Sequence, residues 1–288
     1  MENSIKLITT NSYFNLFPLL NNCLKENGKK ESNIIFCEDK ISLFVERSIA
    51  NEFGGTFNTQ VFSFGSYLKD KKTFEKTLSK EGSAMVIRKL LLNLPLKCFS
   101  GNKNLLAPSV FDLIILLKSA KVSVKDVESA LNGTSGILKN KLSDIYLIYS
   151  AYEEYLKENA LEDQSSVLSH LPTIIENDAQ LSNVNVFLLG FTAFTSQTRD
   201  IMESLFKRAK SVTAILTSGE NPFLFVNETA NMFESLVKKN NLSLIKQNFS
   251  SPYEKEGKII LDNLFGAVYA KDKIETDKIF ITPSLSVR

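Results

Sequence analysis

The sequence predicts an α/β fold in which a parallel sheet with crossover helices is interrupted by an all-helical insertion. Short apolar runs alternate with helical patterns near both ends of the sequence, which is typical of parallel strands joined by helices. Residues 79–176 contain only helical patterns. We therefore expect residues 1–78 and 179–288 to form one α/β domain, with residues 79–178 as a helical subdomain inserted between its two parts.

Three strands are predicted in the first part of the α/β domain, over residues 5–8, 33–36 and 60–62. A helix rich in leucine follows the first strand. The helix after the second strand is expected to begin at Asp39, a residue type that caps helix N-termini, and to stop at Gly54. Helical spacing places six residues on the buried face of this helix: Ile41, Phe44, Val45, Ser48, Ile49 and Phe53.

Five helices are predicted in the insertion, over residues 79–94, 108–120, 123–131, 136–158 and 162–176. Ser123 and Asp126 form an approximate capping box at the start of the third. The fourth carries apolar and aromatic residues at alternating spacings of four and three, from Leu138 to Leu156, which predicts the seam of a helix bundle.

Strand patterns return in the last part, over residues 184–189, 212–216, 242–245 and 279–282, with helices near residues 197–208, 228–239 and 255–264. The last of these strands enters a turn at Pro283, close to the end of the sequence. A complete domain seldom ends in this way, so we expect the sequence to be part of a longer protein.

Composition indicates a globular protein with no strong electrostatic preference. Hydrophobic residues make up 43% and charged residues 23%, and 34 basic residues against 32 acidic ones leave a net charge of only +2. Any DNA contact must therefore come from a local patch. The three cysteines lack metal-site spacing, and neither a signal peptide nor a membrane-spanning run is present, so we expect a reduced cytoplasmic protein without a metal.

The sequence lacks both halves of a nucleotide-hydrolysing site at the two places where a motor of this architecture would carry them. A phosphate loop needs glycines and a lysine after the first strand, but Thr9, Thr10, Asn11 and Ser12 stand there and the first glycine is Gly28. The strand at residues 184–189 ends in Leu189 and Gly190, where motors carry the acids that hold magnesium. We predict a degenerate nucleotide site at these six positions, with no cofactor and no catalytic residue. The alternative is a fold that was never a motor.

Several segments, in order, resemble the N-terminal region of AddB (RexB in some bacteria), the B subunit of helicase-nucleases that process broken DNA ends. They are Ile34-Ile35-Phe36 with the helix after it, Val61-Phe62-Ser63-Phe64-Gly65-Ser66-Tyr67-Leu68, Lys141-Leu142-Ser143-Asp144, and Gly190-Phe191-Thr192-Ala193-Phe194-Thr195. The resemblance implies a catalytically silent, helicase-like module. Its implied partners are an AddA/RexA-type motor subunit and single-stranded or end-unwound DNA, with no membrane.

Seven residues are candidates for DNA contact: Ser63, Phe64, Lys69, Lys71, Lys72, Thr192 and Phe194. Hydroxyl groups donate to phosphates, aromatic rings stack on bases, and lysines neutralise the backbone. Each has a structural alternative, because the hydroxyl residues also cap helices, the phenylalanines also fill cores, and the lysines also form solvated faces. The single histidine, His170, is interpreted as a surface or helix-packing residue.

Two other functions stay open. A purely structural assembly module would make no DNA contact. An α/β enzyme of unidentified substrate is disfavoured, because the sequence contains no recognisable nucleophile arrangement, metal cluster or dinucleotide fingerprint.

Overall fold

Six parallel strands form one sheet at the centre of the computed structural model, which describes residues 4–28, 30–55, 58–72, 76–99, 101–219 and 224–250. The strands are β1 (Ser4–Thr10), β2 (Ser32–Phe36), β3 (Thr59–Phe62), β4 (Val184–Leu189), β5 (Ser211–Thr217) and β6 (Leu244–Phe249), in the order β3-β2-β4-β5-β1-β6. The predicted α/β fold with a parallel sheet is confirmed, and β3 and β4 share that sheet. The strand and helix predicted at residues 279–282 and 255–264 lie outside the described residues.

The described helices are α1 (Leu16–Asn27), α2 (Asp39–Phe53), α3 (Phe64–Lys71), α4 (Lys80–Asn93), α5 (Lys103–Ser119), α6 (Val124–Leu131), α7 (Gly136–Glu158), α8 (Gln164–Leu168), α9 (Leu171–Asn177), α10 (Ser196–Arg208) and α11 (Glu228–Lys239). Short 3-10 turns cover Tyr13–Asn15, Ala179–Asn183 and Leu224–Asn227. None of the helices in the described ranges is long and apolar enough to cross a membrane.

Side-chain caps explain several helix boundaries. Ser123 and Asp126 form the predicted capping box at α6, and Gly54 ends α2 at a φ of 73°. At the start of α2 the prediction was wrong by one residue, because Glu38 holds the cap position with extended backbone and Asp39 is already helical.

Two prolines explain the larger differences from the predicted helices. The helix expected from residue 108 begins at Lys103, because Asn102 caps it and Pro108 is accommodated inside the helix. The single helix expected over residues 162–176 is split into α8 and α9. Pro172 lies in the first turn of α9, where a helix has no intrahelical use for the missing N–H group.

The helices cover the sheet on two faces. α1 and α2 pack on one face, around Ile35, Phe187 and Leu189, whereas α3, α8, α9, α10 and α11 pack on the other, around Phe36, Val186 and Leu188. All six residues of β4 are buried, as expected for a central parallel strand. β1 and β2 therefore continue into helices on one face, while β5 and β4 continue into helices on the other.

The segment α4–α7, which lies between β3 and β4 along the chain, has a hydrophobic core of its own. Ile87, Phe111, Ile148 and Tyr152 are among its buried residues. The C-terminal part of the predicted seam is buried, but Leu138 at its start is 57% exposed. α8 and α9 pack on the sheet instead. The division of the chain at residues 78 and 178 stays a prediction.

The chain enters and leaves the helical segment at adjacent points. The N–H of Leu78 donates to the carbonyl of Glu162 at 2.8 Å, and the N–H of Glu162 donates to the carbonyl of Lys76 at 3.0 Å. Lys118 of α5 forms an ion pair with Asp163, and Lys121, just after α5, forms one with Asp200. The helical segment is thus fastened to the sheet part by both backbone and side chains.

Candidate functional site

The carboxyl edge of the sheet is where a functional site is expected. In an open parallel sheet, crevices form where neighbouring strands continue to opposite faces. Among the described residues, such places lie between β1 and β5, between β2 and β4, and between β2 and β3. The ends of β1, β3 and β4 and the turns after them carry the residues predicted from the sequence to form the degenerate nucleotide site and part of the DNA contact.

The turn after β1 is closed by its own side chains. Thr10 is fully buried, and its Oγ1 accepts hydrogen bonds from Asn15 Nδ2 at 3.1 Å and from the N–H of Ser12 at 3.4 Å. The carbonyl of Thr10 accepts from the N–H of Ser218 at 2.7 Å. A phosphate loop instead turns successive backbone N–H groups toward its ligand.

Hydrocarbon fills the space between the ends of β1 and β4. Gly190 has a φ of 66°, and its N–H donates to the carbonyl of Ile215 at 2.9 Å. A Cβ atom added to Gly190 would lie 3.2 Å from Leu16 Cδ1 and 3.5 Å from Ile41 Cδ1. Leu16 is itself fully buried. This packing offers neither the charge nor the polar donors that bind phosphate and magnesium.

Four phenylalanines form a continuous stack beneath the edge. The ring centroids of Phe36 and Phe64 are 4.9 Å apart, those of Phe64 and Phe191 are 5.5 Å apart, and those of Phe191 and Phe194 are 5.5 Å apart. Phe64 is only 7% exposed and Phe194 only 3%. The structure therefore places both candidates in the core, and stacking of either ring on a DNA base would require this stack to open.

The two candidate hydroxyl residues have different surroundings. Ser63 is buried and caps α3, since its Oγ accepts from the N–H of Ser66 at 3.1 Å. Thr192 is exposed, and its Oγ1 donates to Glu38 Oε1 at 3.3 Å. Thr195, not Thr192, caps α10. Thr192 and Glu38 thus meet across the crevice between β4 and β2.

The three candidate lysines differ in their contacts. Lys69 and Lys72 are exposed at the end of α3. The Lys71 ammonium lies 3.0 Å from Asp178 and 5.3 Å from the centre of the Tyr67 ring. Partial burial opposes ionisation of Asp178, but hydrogen bonds from Lys71, from the N–H of Gln180 and from the Tyr67 hydroxyl outweigh it and lower its pKa. Lys71 is therefore already engaged in a structural contact.

Sequence reasoning missed an aromatic and basic surface on this edge, which we call the edge surface: Tyr13, Phe14, Lys40, Phe44 and Arg47. Phe14 is 83% exposed, Phe44 60% and Tyr13 42%. The Lys40 ammonium lies 2.5 Å from Glu38 Oε2, and this carboxylate, with a smaller contribution from Tyr13, raises the pKa of Lys40. Lys40, Phe44 and Arg47 follow one another along a single face of α2.

The prediction that Phe44 belongs to the buried face of α2 was wrong. At 100° per residue, Ile41, Val45 and Ile49 define the centre of that face, and Phe44 lies about 100° away from it. Its aromatic character suggested burial, but its angular position on the helix would have revealed its exposure.

Other titratable groups near the edge are unsuited to catalysis or are used structurally. Burial, followed by the nearby carboxylates of Asp39, Glu46 and Glu38, raises the pKa of Cys37 to about 12, so its thiol stays protonated. The Nε2 atom of His170 lies 2.7 Å from Glu162 Oε1 at the surface, as the sequence interpretation predicted. In the described ranges, no group of three or more potential ligands could hold a metal ion.

Comparison with known proteins identifies the family. A family model described as the N-terminal region of AddB matches residues 16–263. The chain belongs to the AddB N-terminal family. The resemblance drawn from the sequence segments is therefore confirmed.

The relatives share one description, the B subunit of an ATP-dependent helicase/deoxyribonuclease. The protein of Listeria welshimeri is 32% identical over 227 residues, which cover 73% of this chain and 20% of the relative. That of Listeria monocytogenes is 28% identical over 251 residues, covering 83% and 21%. That of Staphylococcus haemolyticus is 24% identical over 285 residues, covering 92% and 24%. The chain spans about a fifth to a quarter of the length of these AddB relatives.

Proposed function

We propose that this chain is a helicase-like module without its own ATPase activity, belonging to the B subunit of an ATP-dependent helicase-nuclease. It contributes to the path of single-stranded DNA and to docking on an AddA/RexA-type motor subunit, during double-strand break repair and recombination in the cytoplasm. The family membership and the description of the relatives support this proposal. The helical segment is proposed to be a subdomain inserted into the α/β domain.

One observation supports the proposal: hydrocarbon packs beside Gly190, while aromatic rings are exposed at the same edge of the sheet. Leu16 and Ile41 occupy the space next to Gly190. At the same edge, Phe14 and Phe44 are exposed. Such an edge favours a DNA-contacting surface over an ATP-hydrolysing one.

The edge surface has the chemistry of a single-strand contact. Exposed aromatic rings stack on any base, and interleaved basic side chains neutralise the backbone. Arg47 lies beside Phe44 along α2 and is the basic residue proposed to meet the backbone, whereas Lys40 on the other side of Phe44 is paired with Glu38. The Glu38 carboxylate, at the crevice with Thr192, repels phosphate, so we expect bases rather than phosphates to face this crevice.

Fluorescence anisotropy with a labelled oligonucleotide tests the DNA contact. Replacement of Phe14 and Phe44 by alanine should weaken binding by about 1 to 3 kcal/mol for each stack removed, roughly a five-fold to 150-fold rise in Kd. The matched control replaces Leu92 and Leu105, which are 64% and 74% exposed on α4 and α5, by alanine. Equal affinities for the wild-type chain and the Phe14 and Phe44 variant would contradict the proposal.

Calorimetric titration with Mg-ATP tests the absence of a working nucleotide site. The hydrocarbon beside Gly190 leads us to expect no saturable heat. Micromolar binding that disappears when the turn after β1 is altered, for example in Thr10→Val, would contradict this part of the proposal.

A structural assembly module is the second candidate. Large aliphatic side chains are exposed on the helical segment, including Met85 at 71% and Leu105 at 74%, which favours contact with another protein surface. This candidate becomes the better one if the wild-type chain binds no single-stranded DNA at low salt.

A further inference from the structure

The loop between α4 and α5 is held by a buried carboxylate on α7. Asp144 is fully buried, and its two oxygens accept three backbone hydrogen bonds, from the N–H groups of Lys97 at 3.0 Å, Cys98 at 2.6 Å and Phe99 at 3.0 Å. Charge-assisted bonds of this kind are the stronger ones in proteins. The loop is therefore fixed in one conformation before any ligand arrives.

The surroundings of this loop are basic. Residues 82–111 include four basic residues, Arg88, Lys89, Lys97 and Lys103, and no acidic one. Between residues 129 and 152, Lys139 and Lys141 stand with a single acid, Asp144, whose carboxylate is already satisfied by the loop. The small net charge of the whole chain thus conceals a local excess of positive charge on the helical segment.

Three lysines belong to this loop, to the start of α5 or to the part of α7 that holds the loop, and we call them the loop surface: Lys97, Lys103 and Lys141. The Lys103 ammonium donates to the carbonyl of Phe99 at 2.9 Å. Lys141 precedes Asp144 by three residues, so the two lie on neighbouring turns of one face of α7. Lys97 and Lys141 are exposed, and neither has a carboxylate partner among the described residues.

We propose that the loop surface is a second contact for the phosphate backbone of DNA, separate from the edge surface. This inference rests on the proposed function. A backbone phosphate presents only negative charge, so a surface that meets it gains from excluding carboxylates, whereas protein interfaces usually place both signs opposite each other. Asp144 is the positioning residue: it orders the loop while keeping its own charge away from the surface.

The test measures affinity for single-stranded DNA against salt concentration. Replacement of Lys97 and Lys141 by alanine should reduce the slope of log affinity against log salt by about 1.4, which is roughly 0.7 for each phosphate that is no longer neutralised. The matched control replaces Lys125 and Lys157, two exposed lysines on α6 and α7, by alanine and should keep the wild-type slope. Lys103 is left intact because its ammonium supports the loop.

The outcomes separate this inference from the proposed function. If the wild-type chain binds DNA and both lysine variants have the same slope, the loop surface is not a contact, and the proposed function stands. If the salt slope falls in the Lys97 and Lys141 variant while the Phe14 and Phe44 variant binds DNA with wild-type affinity, the loop surface is a DNA contact and the edge surface is not. If the wild-type chain does not bind DNA, both the inference and the proposed function are overturned. If the wild-type chain binds an acidic protein but not DNA, the choice of DNA as the ligand is overturned.

Asp144→Asn tests the positioning role, because the loss of charge and the loss of loop order should change DNA affinity in opposite directions. Removal of a negative charge should by itself strengthen DNA binding, but loss of the ordered loop should weaken it and reduce the salt slope. We expect the weaker binding, with the variant still folded by circular dichroism. Stronger binding would overturn the positioning role of Asp144, and if the variant does not fold, the lysine variants decide.

Discussion

The Lys118 ammonium lies 2.7 Å from the Asp163 carboxylate, and Asp163 is fully buried. The same ammonium contacts Glu153 at 2.7 Å and the Ser166 hydroxyl at 2.8 Å. The other carboxylate oxygen of Asp163 accepts from the N–H of Ser166 at 2.8 Å and so caps α8. This buried ion pair therefore links α5, in the helical segment, to α8, the first helix after that segment.

Lys118→Met should be strongly destabilising. The substitution leaves Asp163 as an unpaired buried charge, which typically costs about 3 to 5 kcal/mol in the free energy of unfolding. Urea denaturation measures the effect. The control is Lys121→Met, three residues along the chain, where an exposed pair with Asp200 is expected to contribute less than about 1 kcal/mol. Similar losses in the two variants would show that burial of Asp163 does not govern the interaction.

Phe64→Ala should affect stability and not DNA binding. Because the ring is buried between Phe36 and Phe191, its removal should cost about 3 to 5 kcal/mol of unfolding free energy. The folded fraction should bind single-stranded DNA with wild-type affinity. Phe14→Ala, at an exposed ring, should give the reverse pattern. Loss of DNA affinity in a stable Phe64→Ala variant would return this residue to the DNA path.

Gly190→Ala should destabilise the fold more than the same substitution at another glycine of similar positive φ whose added Cβ would meet no neighbour. The left-handed backbone alone costs an alanine about 1 to 2 kcal/mol. Gly54→Ala is the matched control, because Gly54 has a φ of 73° and nothing within 4 Å of an added Cβ, whereas Gly190 faces Leu16. The difference in melting temperature between Gly190→Ala and Gly54→Ala measures how much the contact with Leu16 destabilises the Gly190→Ala variant. A double-mutant cycle with Leu16→Ala should recover part of it, and additive losses would exclude direct contact.

Asp178 should make the chain less stable in acid. Because its folded pKa lies below the unfolded value of about 3.9, the ionised form stabilises the fold above that pH. This contribution is lost as the pH falls through the window below about 3.9. Urea midpoints measured between pH 6 and pH 3 should fall less steeply in Asp178→Asn than in the wild type. A wild-type pH dependence in Asp178→Asn would contradict this role.

Local sequence signals predicted most of the elements because their causes are local. β4, α7 and α11 have the predicted limits, since apolar runs and helical periodicity act over a few residues. Features that depend on contacts between distant parts of the chain were not predicted. The break between α8 and α9 depends on Pro172, and the order of the strands depends on crossovers that the sequence does not encode locally.

The candidate site was less predictable than the fold. The absence of phosphate-binding residues was visible, but the filling of that space by Leu16 depends on three elements meeting at Gly190. Phe64 and Lys71 were chosen for their chemical type, and their burial and pairing depend on Phe191 and on Asp178, which are distant in sequence. The role of Asp144 likewise depends on a loop more than forty residues earlier in the chain.

The hydrogen bonds from Leu78 to Glu162 and from Glu162 to Lys76 bring together the two chain ends of α4–α7. More than eighty residues of the chain thus begin and end at adjacent points, so that their removal would leave only a short gap between Leu78 and Glu162. Loop-closure entropy rises only slowly with length, so β3 and β4 can tolerate large changes in what lies between these two points. We expect related genes to vary in length here more readily than within the strands, and grafting of a different helical unit at this junction to preserve the strand register.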